Sequence, residues 1–244
     1  MTKRWLLLLF AVALGRAARV RLSVAPRRRQ WAERADSGDF LLVALGDSLT
    51  QGIGSSRMAT SWLGRYVTHL EAAGPRRVRV DNRAVYGAKI ADLLAHQLPL
   101  PATADQVTVC IGANDAGRTD PGAFRRQLRQ LCGQLPAGSV VGDVPEFQWG
   151  PRVDAAAELS QIVREVVAEF SHLSLAPVQK HTAEIRILTD LAGDFFHPAD
   201  RGYLRIADAF IAAGAPITAT TGQSTEATGP RPAARHLRSA ARSR

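Results

Sequence analysis

The sequence predicts an α/β protein, a five-stranded parallel sheet between two layers of helices, and three observations predict it. Apolar strand-like runs alternate with helix-period segments from about residue 39 to 214, the pattern of strands joined by helical crossovers. The 244 residues suffice for one well-buried core and are short for two full domains. Polar residues able to do chemistry follow directly on the apolar runs, where an open α/β sheet binds its ligands.

Taken in order, strands are expected at 40–45, 78–82, 107–111, 140–144 and 173–177. The run FLLVAL at 40–45 has no polar residue and reads as a buried strand. Helical spacing of apolar residues falls between the strands, at 61–73, 90–97, 121–135 and 153–170, and a last helix at 199–213 closes the domain. Asp120 followed by Pro121 is a start signal, an N-cap with proline at the first helical position.

The formal net charge of +9 suggests a nucleic-acid ligand only if it is spread over the folded part. Residues 1–35 carry nine Lys/Arg against one Glu, and residues 215–244 carry five Arg against one Glu. The segment between them is mildly acidic, with a net charge of about −3. This argues against nucleic acid as a partner and divides the chain into a basic N-terminal segment 1–35, a domain 36–214 and a basic tail 215–244. The tail is rich in Ala, Thr, Pro, Gly, Ser and Arg and lacks aromatics, so it is expected to be disordered.

Within the first segment, Lys3 and Arg4 precede ten apolar residues, with LLLLFAVAL at 6–14. That is short for a membrane span, which needs about 20 residues, and fits a signal-peptide core, with Ala13 and Gly15 at the small-residue positions of a cleavage site. Arg16, Arg19 and Arg21 follow at once and oppose export. The alternative is an uncleaved anchor or amphipathic helix whose basic flank meets anionic lipid. Membrane association or export is expected either way. Cys110 and Cys132 lie in a strand run and a helix pattern and are expected to be free, buried thiols.

The strand ends carry the chemistry. The first ends in Gly46-Asp47-Ser48, the second runs through Asn82 and Tyr86 to Gly87, and the third ends in Gly112-Ala113-Asn114-Asp115. Asp194-Phe195-Phe196-His197-Pro198 precedes the last helix. A serine needs a base to become a nucleophile at neutral pH, and His197 is the candidate. A carboxylate on the other ring nitrogen selects the tautomer and stabilises the imidazolium, and Asp194 is three residues away. The amides of Ser48 and Gly87 and the side-chain NH₂ of Asn114 are the candidate oxyanion donors. Asp47 is expected to brace the nucleophile turn, and Asp115 to cap the turn after Asn114.

GDSLTQG at 46–52, the glycine at 87, GAND at 112–115 and DFFHP at 194–198 resemble, in order, the four blocks of the SGNH or GDSL hydrolases. The resemblance spans residues 41–212. It implies a flavodoxin-like sheet, Ser48 as nucleophile, Gly87 and Asn114 with Ser48 as oxyanion donors, His197 as general base and acid, and Asp194 as its orienting partner. It implies neither metal nor organic cofactor. Tyr86 stands where many members carry a small residue, which crowds the edge of the acyl site.

Rival readings are weaker. Position 50 is Thr, so the serine does not lie in the G-x-S-x-G of a nucleophile elbow. Asp190 could serve as the third triad member, but it lies seven residues from His197. His69, His96, His172 and His181 share no metal-binding spacing. GIGSSR at 52–57 lacks the P-loop lysine and the dinucleotide fingerprint. The expected activity is hydrolysis of a small-molecule or lipid ester, with no obligate protein partner. Acyl transfer to a sugar or lipid alcohol by the same residues is the alternative. A surface-binding module working through its basic ends is the reading of another class.

Overall fold

The computed structural model of the chain describes residues 15–34, 38–74 and 77–214. The apolar stretch at 5–14 and the expected disordered tail at 215–244 lie outside the described residues. Five strands form one parallel sheet: β1 (Phe40–Gly46), β2 (Val78–Asn82), β3 (Gln106–Cys110), β4 (Val140–Gly142) and β5 (Ser174–Ala176). Their order is β2-β1-β3-β4-β5, the flavodoxin-like order expected.

Alternation along β1 builds both cores. Leu41, Val43 and Leu45 face one layer, and Phe40, Leu42 and Ala44 face the other. The first layer holds α4 (Ile90–His96), α5 (Pro121–Cys132) and α6 (Val153–Ala168), which bury residues such as Leu93, Phe124, Leu128 and Val163. The second holds α1 (Val24–Arg34), α3 (Trp62–Ala72) and α9 (Asp200–Ala213). There Trp62 stacks on Phe210 with ring centroids 4.1 Å apart, and Tyr66 meets the same ring edge-on at 6.3 Å. Shorter helices are α2 (Ser48–Gln51), α7 (Val178–Thr182) and α8 (Ile187–Asp190).

Helix α1 belongs to the stretch that the sequence assigns to the basic N-terminal segment, and it docks on the domain. Trp31 is buried and its indole N–H donates to Gln51 O at 3.0 Å. Arg27 is buried too and donates through Nη2 to Ser55 O at 2.8 Å. Two anchors, one of them cationic, hold this helix in place of an apolar stripe, so helical periodicity does not announce it.

The switch in strand order opens a crevice beyond the carboxyl ends of β1 and β3. Strand β1 outruns β2 there: Ala44 pairs with Asn82, while Gly46 has a strand partner only on the other side, in Cys110, and on the β2 side its carbonyl accepts from Val85 N at 3.2 Å. Gln97 supplies the rest of the strand-like pairing there. Its Oε1 accepts from Gly46 N and its Nε2 donates to Gly46 O, both at 2.8 Å.

Candidate active site

Gly46 begins the turn with φ 146°, and a Cβ there would collide with Cys110 O and Thr50 Oγ1. Asp47 caps the short helix α2, accepting from Leu49 N at 2.9 Å. Ser48 is the first residue of that helix, so its amide needs no partner within it. The turn is held from outside as well: Asn82 Nδ2 donates to Thr50 O at 3.0 Å, Gln51 Nε2 to Ala84 O at 2.8 Å, and Trp31 to Gln51 O.

The loop 191–198 faces this turn. A bridge between Leu191 and Pro198 closes its base, with Ala192 N donating to His197 O at 2.7 Å. Asp194 Oδ1 accepts from the amides of Phe196 and His197 at 3.1 and 3.0 Å, which fixes the carboxylate under the ring. Phe195 adopts φ 54°, a costly conformation for an aromatic residue, and its amide donates to Ala192 O at 3.0 Å.

His197 Nδ1 lies 2.6 Å from Asp194 Oδ2, and His197 Nε2 lies 2.9 Å from Ser48 Oγ. An ionised carboxylate only accepts, so Nδ1 carries the proton and Nε2 is left to accept from the serine hydroxyl. Burial opposes ionisation of Asp194, but the bonds and charge of His197 and the amide of Phe196 outweigh it, and its pKa lies below the ordinary value. Ser48 and His197 are 4% and 3% exposed.

Asn114 stands beside Ser48 with both amide hydrogens engaged, one on Asp47 Oδ2 at 3.0 Å and one on Ala88 O at 3.1 Å. Asp47 therefore holds a side chain as well as the backbone of the turn it is expected to brace. Full burial pushes its carboxyl up to about 7, against the Leu49 amide, His197 and Asn114, while Asp115 adds to the rise. Asp115 accepts from Ile90 N and Thr119 Oγ1 at 3.1 and 2.7 Å, joining α4 to the turn after β3. Asp190 turns away from the site, accepting from Arg186 N and Thr189 Oγ1 and lying 3.6 and 3.7 Å from Arg201 and Arg205.

Two cavities open in this region. One of about 210 Å³ reaches Ser48 and is walled by Phe147, Trp149, Ile185, Leu191 and Phe196. The other, about 200 Å³, is lined by Tyr86, Gly87 and Gln97. Gly87 has φ 77° and open space where a Cβ would stand. Tyr86 lines this second cavity, with its ring 5.7 Å from that of His197. Cys110 and Cys132 are free and buried, and burial raises both thiols, Cys132 to about 12. Among the described residues no group of three or more His, Cys, Asp or Glu is placed to hold a metal ion.

Residues 44–205 match the model of the GDSL-like lipase/acylhydrolase family. The chain belongs to that family. Over 95 residues, which are 36% of this chain and 35% of the relative, it is 37% identical to a lipase from Streptomyces rimosus. The match thus spans about a third of that relative's length. An acetyl xylan esterase structure from Geobacillus stearothermophilus aligns with a TM-score of 0.59 at 20% identity, over 72% of this chain and 94% of that one. A lipase/acylhydrolase structure from Enterococcus faecalis aligns at 0.59 and 21% identity, over 74% and 100%. At these identities the likeness is one of fold.

Two parts of this GDSL site were not singled out from sequence, Gln97 and Trp31. Gln97 ends a helical pattern and Trp31 lies in a basic segment, so only their contacts across the fold reveal them. No helix among the described residues is long and apolar enough to cross a membrane.

Proposed function

We propose that the chain hydrolyses carboxylic esters through an acyl-enzyme on Ser48. The observation that carries this reading is the unbroken relay of hydrogen bonds from Asp194 through His197 to Ser48. His197 Nε2 takes the hydroxyl proton as Ser48 Oγ bonds to the ester carbonyl carbon. The carbonyl oxygen becomes an oxyanion facing the amides of Ser48 and Gly87. Asn114 contributes by turning one hydrogen from Ala88 O toward it while Asp47 keeps the other. As the carbon–oxygen bond to the alcohol breaks, His197 returns the proton to the leaving oxygen. Water then repeats the sequence on the acyl-enzyme and frees the acid.

The apolar walls around Phe147 and Leu191 favour an acyl chain over a bare acetyl group. The test is hydrolysis of p-nitrophenyl esters of increasing acyl length by the full chain and by Ser48→Ala. Loss of activity in a folded mutant supports the mechanism, and full activity there refutes it. An ester product in place of free acid, when an alcohol acceptor is supplied, would mark acyl transfer.

The N-terminal segment supplies a surface for anionic lipid in this reading. Arg16, Arg19, Arg21, Arg28 and Arg29 are exposed, Leu22 is 75% exposed, and Arg16 packs on Gly193 beside Asp194. Binding to phosphatidylserine vesicles that weakens as salt rises is the expected result. Equal binding to neutral vesicles would refute it.

A further inference from the structure

We infer that Arg152 makes the cavity beside Ser48 selective for an ester bearing a carboxylate. The inference rests on the hydrolase reading and names its substrate class. Apart from Asp194, the cavity wall carries two ionisable side chains, Glu146 and Arg152. Glu146 is engaged, since its Oε2 accepts from Gln179 Nε2 at 2.9 Å. Arg152 is not: its Nη1 is shielded from solvent and has no hydrogen-bond partner among the described residues.

Three other arginines among the described residues each reach an acceptor, although buried Arg27 also keeps an unpartnered Nε. Arg129 grips both oxygens of Glu169 at 2.6 Å, Arg164 meets Asp143 at 2.9 Å, and buried Arg27 reaches Ser55. Arg152 is surrounded instead by rings, its Cζ lying 5.5 Å from the centre of Phe196 and 5.9 Å from that of Phe147. Burial, and after it the charge of a second cation, Arg118, disfavour its ionised form. A shielded guanidinium nitrogen without an acceptor is unfavourable, and an incoming carboxylate would satisfy it with the paired geometry that the planar group offers.

The position suits a substrate. Phe196 lies between Arg152 and the catalytic histidine, with its ring edge-on to His197 at 5.0 Å. An ester held at Ser48 whose chain passes over Phe196 would bring a terminal carboxylate to Arg152. Phe147 and Phe196 flank the guanidinium, which lowers the ordering cost when the anion arrives.

The test compares p-nitrophenyl hemiglutarate with p-nitrophenyl pentanoate, its neutral counterpart, on the full chain, with carboxyphenyl butyrate placing the charge on the alcohol side. At least one anionic ester should exceed its neutral counterpart about tenfold in kcat/KM, and which one does tells how the substrate lies. Arg152→Gln should abolish the preference and leave pentanoate hydrolysis within about twofold, while Arg152→Lys should keep part of it. Equal losses on charged and neutral esters in Arg152→Gln would reduce Arg152 to a packing residue and overturn the inference. Calorimetry with glutarate and Ser48→Ala gives a readout free of catalysis: binding is expected, and its absence, or its survival in Ser48→Ala/Arg152→Gln, counts against the inference alone. Inactivity on every ester with glutarate still bound would instead count against the hydrolase reading.

Discussion

Asp47 Oδ2 accepts from Asn114 Nδ2 at 3.0 Å, and this bond joins the turn after β1 that carries Ser48 to the side chain after β3 proposed as an oxyanion donor. In Asp47→Asn a donor can face that donor, and Asn114 loses its support. The expected result is a fall in kcat of about tenfold to a hundredfold, bounded by the loss on removing an oxyanion donor outright. The double variant Asp47→Asn/Asn114→Ala should lose little more than Asn114→Ala alone, because both substitutions act on one group. The carboxyl titrates near 7 when folded and near 3.9 when unfolded. The folded state keeps a proton that the unfolded state has released, so the contribution of Asp47 to stability falls as pH rises between these values. Urea unfolding of Asp47→Asn should show a shallower decline across that window than wild type.

Asp194→Asn tests the tautomer. An amide NH₂ can donate to His197 Nδ1, which would place the proton on Nε2, facing the serine hydroxyl that it must deprotonate. A loss in kcat of about 10³ to 10⁴ is expected, with the fold intact. Because the folded Asp194 has a depressed pKa, its stabilisation is full above about pH 4, the unfolded value, and disappears as pH falls through the folded one. The stability gap between wild type and Asp194→Asn should close on acidification. A gap that widens would contradict an ionised, hydrogen-bonded Asp194.

Gly46 and Gly87 both have positive φ, yet they should respond differently to alanine. At Gly46 the new methyl meets the carbonyl of Cys110 in the adjacent strand, which the sheet cannot move without breaking β1 from β3. Loss of more than about 3 kcal/mol, or failure to fold, is expected of Gly46→Ala. At Gly87 nothing lies within 4 Å of the added carbon, so only the backbone cost of about 1–2 kcal/mol applies. Thermal unfolding of the two variants separates a collision from a conformational preference.

The sheet and its covering helices other than α1 were legible because β1 is apolar throughout and helices such as α5 carry a regular apolar stripe. Strand ends moved: β4 stops at Gly142 and β5 spans only Ser174–Ala176, since the apolar runs continue into loops that pack on the core. The bond between His197 and Ser48 crosses 149 positions, and no local rule predicts it. It was legible only through the joint placement of four motifs at strand ends. The hold on Asn114 was not legible, because an amide shows its acceptors only when Ala88 and Asp47 are brought to it. Arg152 was missed for the opposite reason: a lone arginine in a loop carries no periodic or motif signal, and its lack of a partner is a property of the fold.

Trp31 provides the remaining test, because it connects a basic segment to the turn that carries Ser48. Its indole fills a site at the edge of the core and donates to Gln51 O, in the last residue of the helix that begins with Ser48. Trp31→Ala should cost about 3–5 kcal/mol by the cavity alone. Trp31→Phe keeps most of the burial and removes the donor, leaving Gln51 O without its indole partner, so it should cost about 1–3 kcal/mol. If α1 only adds stability, both variants will unfold earlier while retaining wild-type kcat at low temperature. If it also positions the nucleophile, Trp31→Phe will lower kcat with KM unchanged, and deleting residues 1–35 will do the same in a protein that remains folded.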